Sequence, residues 1–167
     1  VQFEVYTRGA MGMDKDIFEG VIMGTLDCGV NSTAIMSSYV DDLHVLDLNY
    51  LFDSYEMGCR FLKSDVFEEI KDTVARESGG AMVLGMSYQG FRSVLSNTRK
   101  VETPADMAGM KLRVIESTPY VEAFKTYGAV PQAMSASEAV TGLQQGTIDG
   151  QEAAPQIAYF DGCTEYT

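Results

Sequence analysis

The chain of 167 residues has few of the groups on which enzymes and nucleic-acid-binding proteins depend. It contains no tryptophan, one histidine and three cysteines. Its 24 acidic residues outnumber 12 basic ones, which gives a formal net charge of −12. A surface this acidic repels phosphate backbones, so we expect no nucleic-acid partner. The charge does not exclude an anionic ligand, because a pocket is governed by its nearest groups.

Membrane-spanning and disulfide features are also missing. No run of about 18 apolar residues is present, so no transmembrane helix is predicted. No signal peptide is visible in the sequence, and we expect processing or truncation to have removed what came before Val1. The cysteines, Cys28, Cys59 and Cys163, are odd in number and widely spaced, which argues against a disulfide framework and a zinc site. We expect them to be small buried residues.

The catalytic inventory is equally poor. His44 lies in an apolar stretch close to Asp41, Asp42 and Asp47, and we interpret it as a structural histidine with its hydrogen bonds satisfied. The adjacent Asp41 and Asp42 are more typical of a solvated turn than of an acid/base pair. No nucleophile elbow, P-loop or metalloprotease motif occurs. We therefore expect a protein that is not an enzyme and needs no cofactor or metal.

What the sequence does contain is an alternation of short apolar runs and helical stretches of about ten residues, which predicts an α/β fold with mainly parallel pairing. If two lobes exist, they join near Gly90. The predicted strands are 1–7, 26–30, 81–87, 91–96, 110–115, 129–133 and 147–149. The predicted helices are 14–23, 54–62, 64–77, 119–127, 135–145 and 153–160, with single helical turns at 33–36 and 104–107.

Two arginines are the most informative polar residues. Arg113 lies inside an apolar strand, and Arg92 lies at the start of another. A buried arginine is costly unless an anion compensates it, and guanidinium can hold a carboxylate with two parallel hydrogen bonds. For Arg113, a ligand anion and an internal ion pair with Glu116 or Glu138 are both open. For Arg92, a structural role is favoured over ligand binding, because arginines at strand ends often reach solvent.

Four sequence boxes stand out in the second half of the chain. Residues 106–114 read Asp-Met-Ala-Gly-Met-Lys-Leu-Arg-Val, and residues 127–131 read Tyr-Gly-Ala-Val-Pro. Residues 134–140 read Met-Ser-Ala-Ser-Glu-Ala-Val, and residues 143–152 contain Asp-Gly-Gln-Glu. These boxes resemble those of solute-binding proteins from TRAP (tripartite ATP-independent periplasmic) transporters of the DctP family. Looser matches begin near Gly12, so the resemblance spans about residues 1–160.

This resemblance implies a type II periplasmic-binding-protein fold, in which two α/β lobes joined by a hinge close on a ligand. It implies capture of a small organic acid outside the cytoplasm and delivery to a TRAP membrane permease. By position, Arg113 resembles the arginine that pairs with the ligand carboxylate, and Arg92 a second arginine that contacts the ligand. Asp14, Asn31 and Ser32 occupy places where the first lobe touches the solute. The protein is expected to be monomeric and periplasmic, or lipid-anchored at the outer face of a single-membrane organism.

The sequence also departs from the family pattern. Ala153 replaces an asparagine that commonly contacts the ligand, and Ala136 stands where an aromatic residue often packs on it. With Glu116, these positions complete the candidate ligand-binding residues. Because both changes enlarge the pocket and one removes a polar partner, we expect a ligand that is bulkier or more apolar than a simple C4 dicarboxylate or a sialic acid.

The length points to the central part of a longer protein. Residues 1–90 would form part of lobe I without its first strand and helix, and residues 91–167 part of lobe II without its C-terminal portion. An extracytoplasmic sensor of the same fold would have the same site and remains the main alternative. An enzyme would need a base beside the anion site, and the only candidates are Glu116, Glu138 and Glu152, of which Glu138 fits a capping box instead.

Overall fold

The computed structural model describes residues 2–7 and 9–166, which contain seven α-helices and four strands. The helices are α1 (Asp14–Ile22), α2 (Thr33–Met36), α3 (Tyr55–Phe61), α4 (Asp65–Glu77), α5 (Thr118–Thr126), α6 (Ala136–Gln144) and α7 (Pro155–Phe160). The strands are β1 (Ser93–Ser96), β2 (Lys111–Val114), β3 (Val130–Ala133) and β4 (Gly150–Ala153). Three 3₁₀ helices cover Asp41–Asp47, Pro104–Met107 and Cys163–Glu165.

The four strands form one mixed sheet in the order β1-β4-β2-β3. Strand β2 runs parallel to both β3 and β4, whereas β1 is antiparallel to β4. The parallel pairs arise because a helix connects β2 to β3 and β3 to β4, as in βαβ units. The prediction of an α/β fold with mainly parallel pairing is confirmed.

Each face of the sheet is covered by its own apolar cluster. Leu112 and Val114 of β2 point to one face, where they pack with residues of α5 and of the 104–110 segment. Ala153 of β4 belongs to the cluster on the other face, which contains Ala139 and Leu143 of α6. Because side chains alternate along a strand, Arg113 leaves β2 on the same face as this second cluster. The sheet thus directs a charged side chain toward α6.

The predicted capping residues are found at the N-termini of α6 and α2. Ser135 accepts a hydrogen bond from Glu138 N at 3.3 Å, and the Glu138 carboxylate accepts one from Ser135 N at 2.8 Å. This reciprocal capping box confirms the expected role of Glu138. Ser32 likewise caps α2 by accepting from Ala34 N at 3.2 Å. Local sequence signals are sufficient here because both partners lie within three residues.

A buried carboxylate, that of Asp47, connects residues 33–47 to the segment that follows β2. Asp47 is 3% exposed, and its Oδ2 accepts hydrogen bonds at 3.0 Å from Ser37 Oγ and from Ser117 Oγ. Ile115 packs beside them against Ala34 and Ile35 of α2. Since Ser117 precedes α5, this contact ties the first part of the chain to the end of β2.

His44 does not have the satisfied hydrogen bonds that the sequence predicted. Its Nδ1 is buried and has no hydrogen-bond partner among the described residues. The nearest carboxylate oxygen, Oδ2 of Asp47, is 3.8 Å away. Two serine hydroxyls already occupy that oxygen, which explains why the imidazole stays outside hydrogen-bond distance.

Three predicted strands are wrong. Residues 2–7, 26–30 and 81–87 carry no strand, and residue 1 lies outside the described part of the chain. Each segment contains a strongly exposed apolar side chain: Val5 at 78%, Val30 at 93% and Leu84 at 80%. A strand exists only through pairing with a neighbour, and no neighbouring strand pairs with these segments among the described residues. The strand predicted at 147–149 begins instead at Gly150.

The cysteine prediction is confirmed only in part. Cys163 is buried, but Cys59 is half-buried and Cys28 is exposed. Cys28 lies in the 26–30 segment, whose predicted strand does not form, so no sheet covers it. Asp41 and Asp42 are exposed, as expected of solvated residues. Within residues 2–7 and 9–166, no helix combines the length and apolar character needed to cross a bilayer.

Candidate functional site

Arg113 is the centre of the candidate site. It is 6% exposed, and its Nε donates a hydrogen bond to Met134 O at 2.9 Å. Within the described residues, no carboxylate oxygen lies within 4.0 Å of its guanidinium, so the expected alternative of an ion pair with Glu116 or Glu138 does not form. A guanidinium carries five N–H donors. Arg113 therefore retains donors for a further acceptor.

Arg92 differs from Arg113 because it has a protein carboxylate. Its Nε donates to Glu152 Oε2 at 2.5 Å, and its Nη2 donates to Oε1 at 2.9 Å. The Arg92 side chain is 26% exposed and that of Glu152 only 3%. Arg92 thus has an internal ion-pair partner, as the structural alternative expected, and its side chain stays partly exposed. Strand β4 places Glu152 on the face opposite Arg113, where its carboxylate accepts the hydrogen bonds of Arg92.

Two electrostatic effects distinguish the arginines. Burial is the largest effect on both guanidinium groups and lowers their pKa, but for Arg92 the hydrogen bonds to Glu152 together with the charges of Glu152, Tyr120 and Asp47 outweigh it and leave the pKa raised. For Arg113, burial is the largest effect and leaves its pKa lowered, with the Glu152 charge opposing and the Arg92 charge assisting. Of these two arginines, Arg113 is thus the one whose charge is less compensated by the protein. A bound anion would supply what is missing.

A row of amides flanks Arg113 across the sheet. In the strand register, Arg113 lies opposite Gln132 of β3 and Gln151 of β4, so all three side chains leave the same face. Gln151 is 2% exposed, and its Nε2 has no oxygen or nitrogen acceptor within the described part of the chain. Burial raises the pKa of the Cys163 thiol, and a hydrogen bond with the Gln151 side chain lowers it. Sulfur is a weak acceptor, so Gln151 retains donor capacity beside Arg113.

The predicted contacts from the first part of the chain converge on one turn. Asn31 Nδ2 donates to Asp14 O at 2.5 Å, which holds the 31–32 turn against the start of α1. The same end of α1 reaches α6, where Ser137 Oγ donates to Met13 Sδ at 3.8 Å. The charge of Asp14 acts on Arg113 and opposes the lowering of its pKa by burial. The hydroxyl of Ser32, in contrast, is engaged in capping α2.

The remaining predicted residues occupy different surroundings. Ala136 is half-buried at the first position of α6, two residues after the carbonyl that binds Arg113. Ala153 is 5% exposed and packs in the apolar cluster with Ala139 and Leu143. Glu116 is exposed beside a groove of about 320 Å³ that does not include Arg113. A larger groove of about 660 Å³, between His44 and α5, does not include it either.

Sequence reasoning missed Gln151, and it missed Glu152 as the partner of Arg92. Both belong to the Asp-Gly-Gln-Glu box, so the signal was present in the sequence. Strand pairing was required to assign Gln151 to the Arg113 face and Glu152 to the other. Among the described residues, no group of three or more histidine, cysteine, aspartate or glutamate side chains could hold a metal ion.

Comparison with known proteins identifies the family. The model of bacterial extracellular solute-binding protein, family 7 (DctP), matches residues 1–167. The chain belongs to this family. The resemblance predicted from the sequence boxes is thereby confirmed, and membership in a family of solute-binding proteins supports a binding protein over an enzyme.

Relatives and solved structures agree with this assignment. The 2,3-diketo-L-gulonate-binding periplasmic protein of Escherichia coli is 30% identical over 152 residues, which are 91% of this chain and 46% of that protein. The C4-dicarboxylate-binding periplasmic protein of Vibrio cholerae is 30% identical over 149 residues, which are 89% of this chain and 44% of that protein.

A TRAP periplasmic solute-binding protein from Chromohalobacter salexigens, solved with bound D-glucuronate, matches with a TM-score of 0.94 at 28% identity. The match covers 99% of this chain and 55% of that one, and it confirms the predicted fold. The chain spans about half the length of the relatives it matches.

Proposed function

We propose that the protein captures a small organic acid outside the cytoplasm and delivers it to a TRAP membrane permease. The observation that supports this most directly is the state of Arg113. Its guanidinium is buried, and within the described residues it hydrogen bonds only to a backbone carbonyl and has no carboxylate within 4.0 Å. An arginine kept in this state is suited to hold a ligand carboxylate with two parallel hydrogen bonds.

The proposed mechanism is lobe closure around the ion pair. Residues 1–90 would belong to lobe I and residues 91–167 to lobe II. Arg113 and the amide row lie in the second part, whereas Asp14 and the 31–32 turn lie in the first. A solute held by Arg113 gains the contacts of the first part only when the lobes close. This difference in affinity is what a ligand needs to shift an open–closed equilibrium.

We propose a sugar acid as the ligand class. The relatives named above include a 2,3-diketo-L-gulonate-binding protein and a protein solved with D-glucuronate. Ala136 lies two residues from the carbonyl that binds Arg113, and its side chain takes up less space than the aromatic one that often stands there in the family. Such a sugar acid is bulkier than the C4 dicarboxylate of the Vibrio cholerae relative.

The same proposal sets the compartment and the partners. The family is described as extracellular, which supports a periplasmic protein, or a lipid-anchored one in a single-membrane organism. The partners would be the organic acid and the permease subunits, and the binding protein itself would act as a monomer.

A thermal-shift screen tests the proposed function. The product of the complete gene is heated with uronates, aldonates, keto acids and C4 dicarboxylates, each at a saturating concentration. A ligand present at 100 times its dissociation constant adds about 2.7 kcal/mol to the free energy of unfolding. We expect a sugar acid to raise the midpoint most. A midpoint that no organic acid shifts would contradict the proposal.

A further inference from the structure

Two side-chain hydrogen bonds join residues 1–90 to residues 91–167 close to the end of β2. Ser117 Oγ donates to Asp47 Oδ2 at 3.0 Å, and Asn49 Nδ2 donates to Tyr127 OH at 3.0 Å. Ser117 lies four residues after Arg113, and Tyr127 follows the last residue of α5. Both bonds therefore hold the chain that leads away from the arginine strand against the segment around Asp47.

Each side of these bonds is kept in place by its own part of the chain. Asp47 Oδ2 also accepts from Ser37 Oγ at 3.0 Å, so the carboxylate keeps a partner when Ser117 leaves. The ring of Tyr127 packs on that of Phe124 in α5, with the ring centres 5.6 Å apart. Groups that are fixed before they meet lose little conformational entropy on contact. The two sides are therefore suited to join and separate as preformed surfaces.

A groove interrupts the contact between the two parts. It has a volume of about 660 Å³, and its walls are residues 44–50 on one side and residues 118–127 on the other. Members of both hydrogen bonds line it. The apolar contact beside them is small and consists of Ile115 with Ala34 and Ile35. Interfaces between domains that are neither large nor strongly apolar resemble transient interfaces, for which relative motion is the normal expectation.

We propose that the pairs Asp47–Ser117 and Asn49–Tyr127 form a latch that keeps the lobes closed around the captured solute. This inference rests on the proposed function and deepens it, because these residues position the lobes and do not bind the solute. On opening, each hydroxyl exchanges its protein partner for water, so one bond contributes only modestly to closure. The solute leaves when the latch opens, and the latch therefore sets how long it stays bound.

Thiol protection tests whether the contact opens while the protein stays folded. Ser117→Cys places a thiol of similar size beside Asp47, at a position that is 5% exposed in the unmodified protein. Cys163, which is 1% exposed and packs within residues 91–167, is the internal reference. The product of the complete gene is treated with N-ethylmaleimide at several urea concentrations, and peptide mass spectrometry follows each thiol.

We expect the thiol of Ser117→Cys to react about tenfold faster than Cys163, because a local opening needs less free energy than unfolding. Its rate should depend little on urea, since a local opening exposes little surface. Saturating D-gluconate, one of the aldonates of the screen, should slow the reaction. Rates that match those of Cys163 at every urea concentration would mean that the contact opens only on unfolding, which overturns the latch.

A single hydroxyl tests the second bond. Tyr127→Phe keeps the packing on Phe124 and removes only the acceptor of Asn49. It should speed both the release of D-gluconate, measured by stopped flow, and the alkylation of Ser117→Cys about fivefold, the effect of one hydrogen bond. The matched control is Tyr166→Phe, whose hydroxyl accepts from Gln144 Nε2 at 3.0 Å within residues 91–167. It should leave both rates unchanged.

Failure of the latch and failure of acid capture give different results. If D-gluconate binds and Tyr127→Phe behaves like Tyr166→Phe in both assays, the Asn49–Tyr127 bond is a static contact, and the latch is wrong while acid capture stands. If another acid shifts the unfolding midpoint more, that acid replaces D-gluconate. If no acid of the screen binds, acid capture is wrong, and the alkylation rates still decide whether the contact opens.

Discussion

Arg92 and Glu152 form a two-point ion pair between the start of β1 and the buried strand β4. The Arg92 Nε to Glu152 Oε2 distance is 2.5 Å, the Nη2 to Oε1 distance is 2.9 Å, and the guanidinium carbon lies 5.4 Å from the ring centre of Tyr120. Glu152 Oε1 also accepts from Ile115 N at 3.1 Å. Because Glu152 leaves β4 on the face opposite Arg113, its carboxylate pairs with Arg92 and not with Arg113.

Removal of one member of this pair should be strongly destabilising. Glu152→Gln leaves the Arg92 guanidinium partly buried without a counter-charge, which costs about 3–5 kcal/mol of unfolding free energy for buried pairs. Urea denaturation measures the change. The control is Glu77→Gln, which breaks an exposed pair with Arg76 and should cost less than about 1 kcal/mol. Equal losses in the two variants would show that the Arg92 pair contributes no more than a surface pair.

The buried Asp47 should make stability depend on pH. Burial is the largest effect on its pKa and raises it, although hydrogen bonds from Ser117, Ser37 and Thr33 and the charge of His44 act in the opposite direction. The folded protein therefore binds this proton more tightly than the unfolded chain. The resulting stabilisation is complete below the unfolded pKa of about 3.9 and is lost as the pH rises through the folded pKa.

The measurement is the difference in unfolding free energy between the unmodified protein and Asp47→Asn. This difference should fall as the pH rises from about 4 toward neutrality, because only the unmodified protein loses the proton. His44→Gln serves as a control, since the fall should persist without the imidazole. A difference that increases with pH would mean that hydrogen bonds to the ionised carboxylate outweigh its burial.

Gly150 should be required for the pairing of β4 with β1. A Cβ at this position would collide with Leu95 O and lie 3.0 Å from Ser96 Cα. Since both atoms belong to the backbone, they cannot move aside without separating the strands. Gly150→Ala should cost about 1–3 kcal/mol in denaturant unfolding. Gly85→Ala, where an added Cβ meets nothing within 4 Å, should change stability by less than about 0.5 kcal/mol.

Helices were predictable from the sequence because their determinants are local. The predicted helices at 64–77 and 135–145 match α4 and α6 within one residue at each end. Ser64 and Ser135 cap these helices with bonds to residues three positions ahead. Such signals need no knowledge of the rest of the fold.

Strands and the site's charge pairing were less predictable because they depend on distant residues. The apolar pattern of 81–87 is that of a strand, yet no partner pairs with it among the described residues. Strand β4 was misplaced because Gly-Gln-Glu-Ala has poor strand propensity and forms through pairing with β1 and β2. The partner of Arg92 lies 60 positions away, so the sequence identified two arginines of interest without showing which one keeps its charge uncompensated.

The binding of a sugar acid by Arg113 variants tests the central claim most directly. Calorimetry with D-gluconate compares the product of the complete gene with Arg113→Gln and with Arg99→Gln, whose exposed guanidinium donates to Ala108 O. We expect Arg113→Gln to lose about 2–5 kcal/mol of binding free energy, which abolishes detectable binding, and Arg99→Gln to bind normally. Unchanged binding by Arg113→Gln would contradict the account, because the buried guanidinium would then be structural.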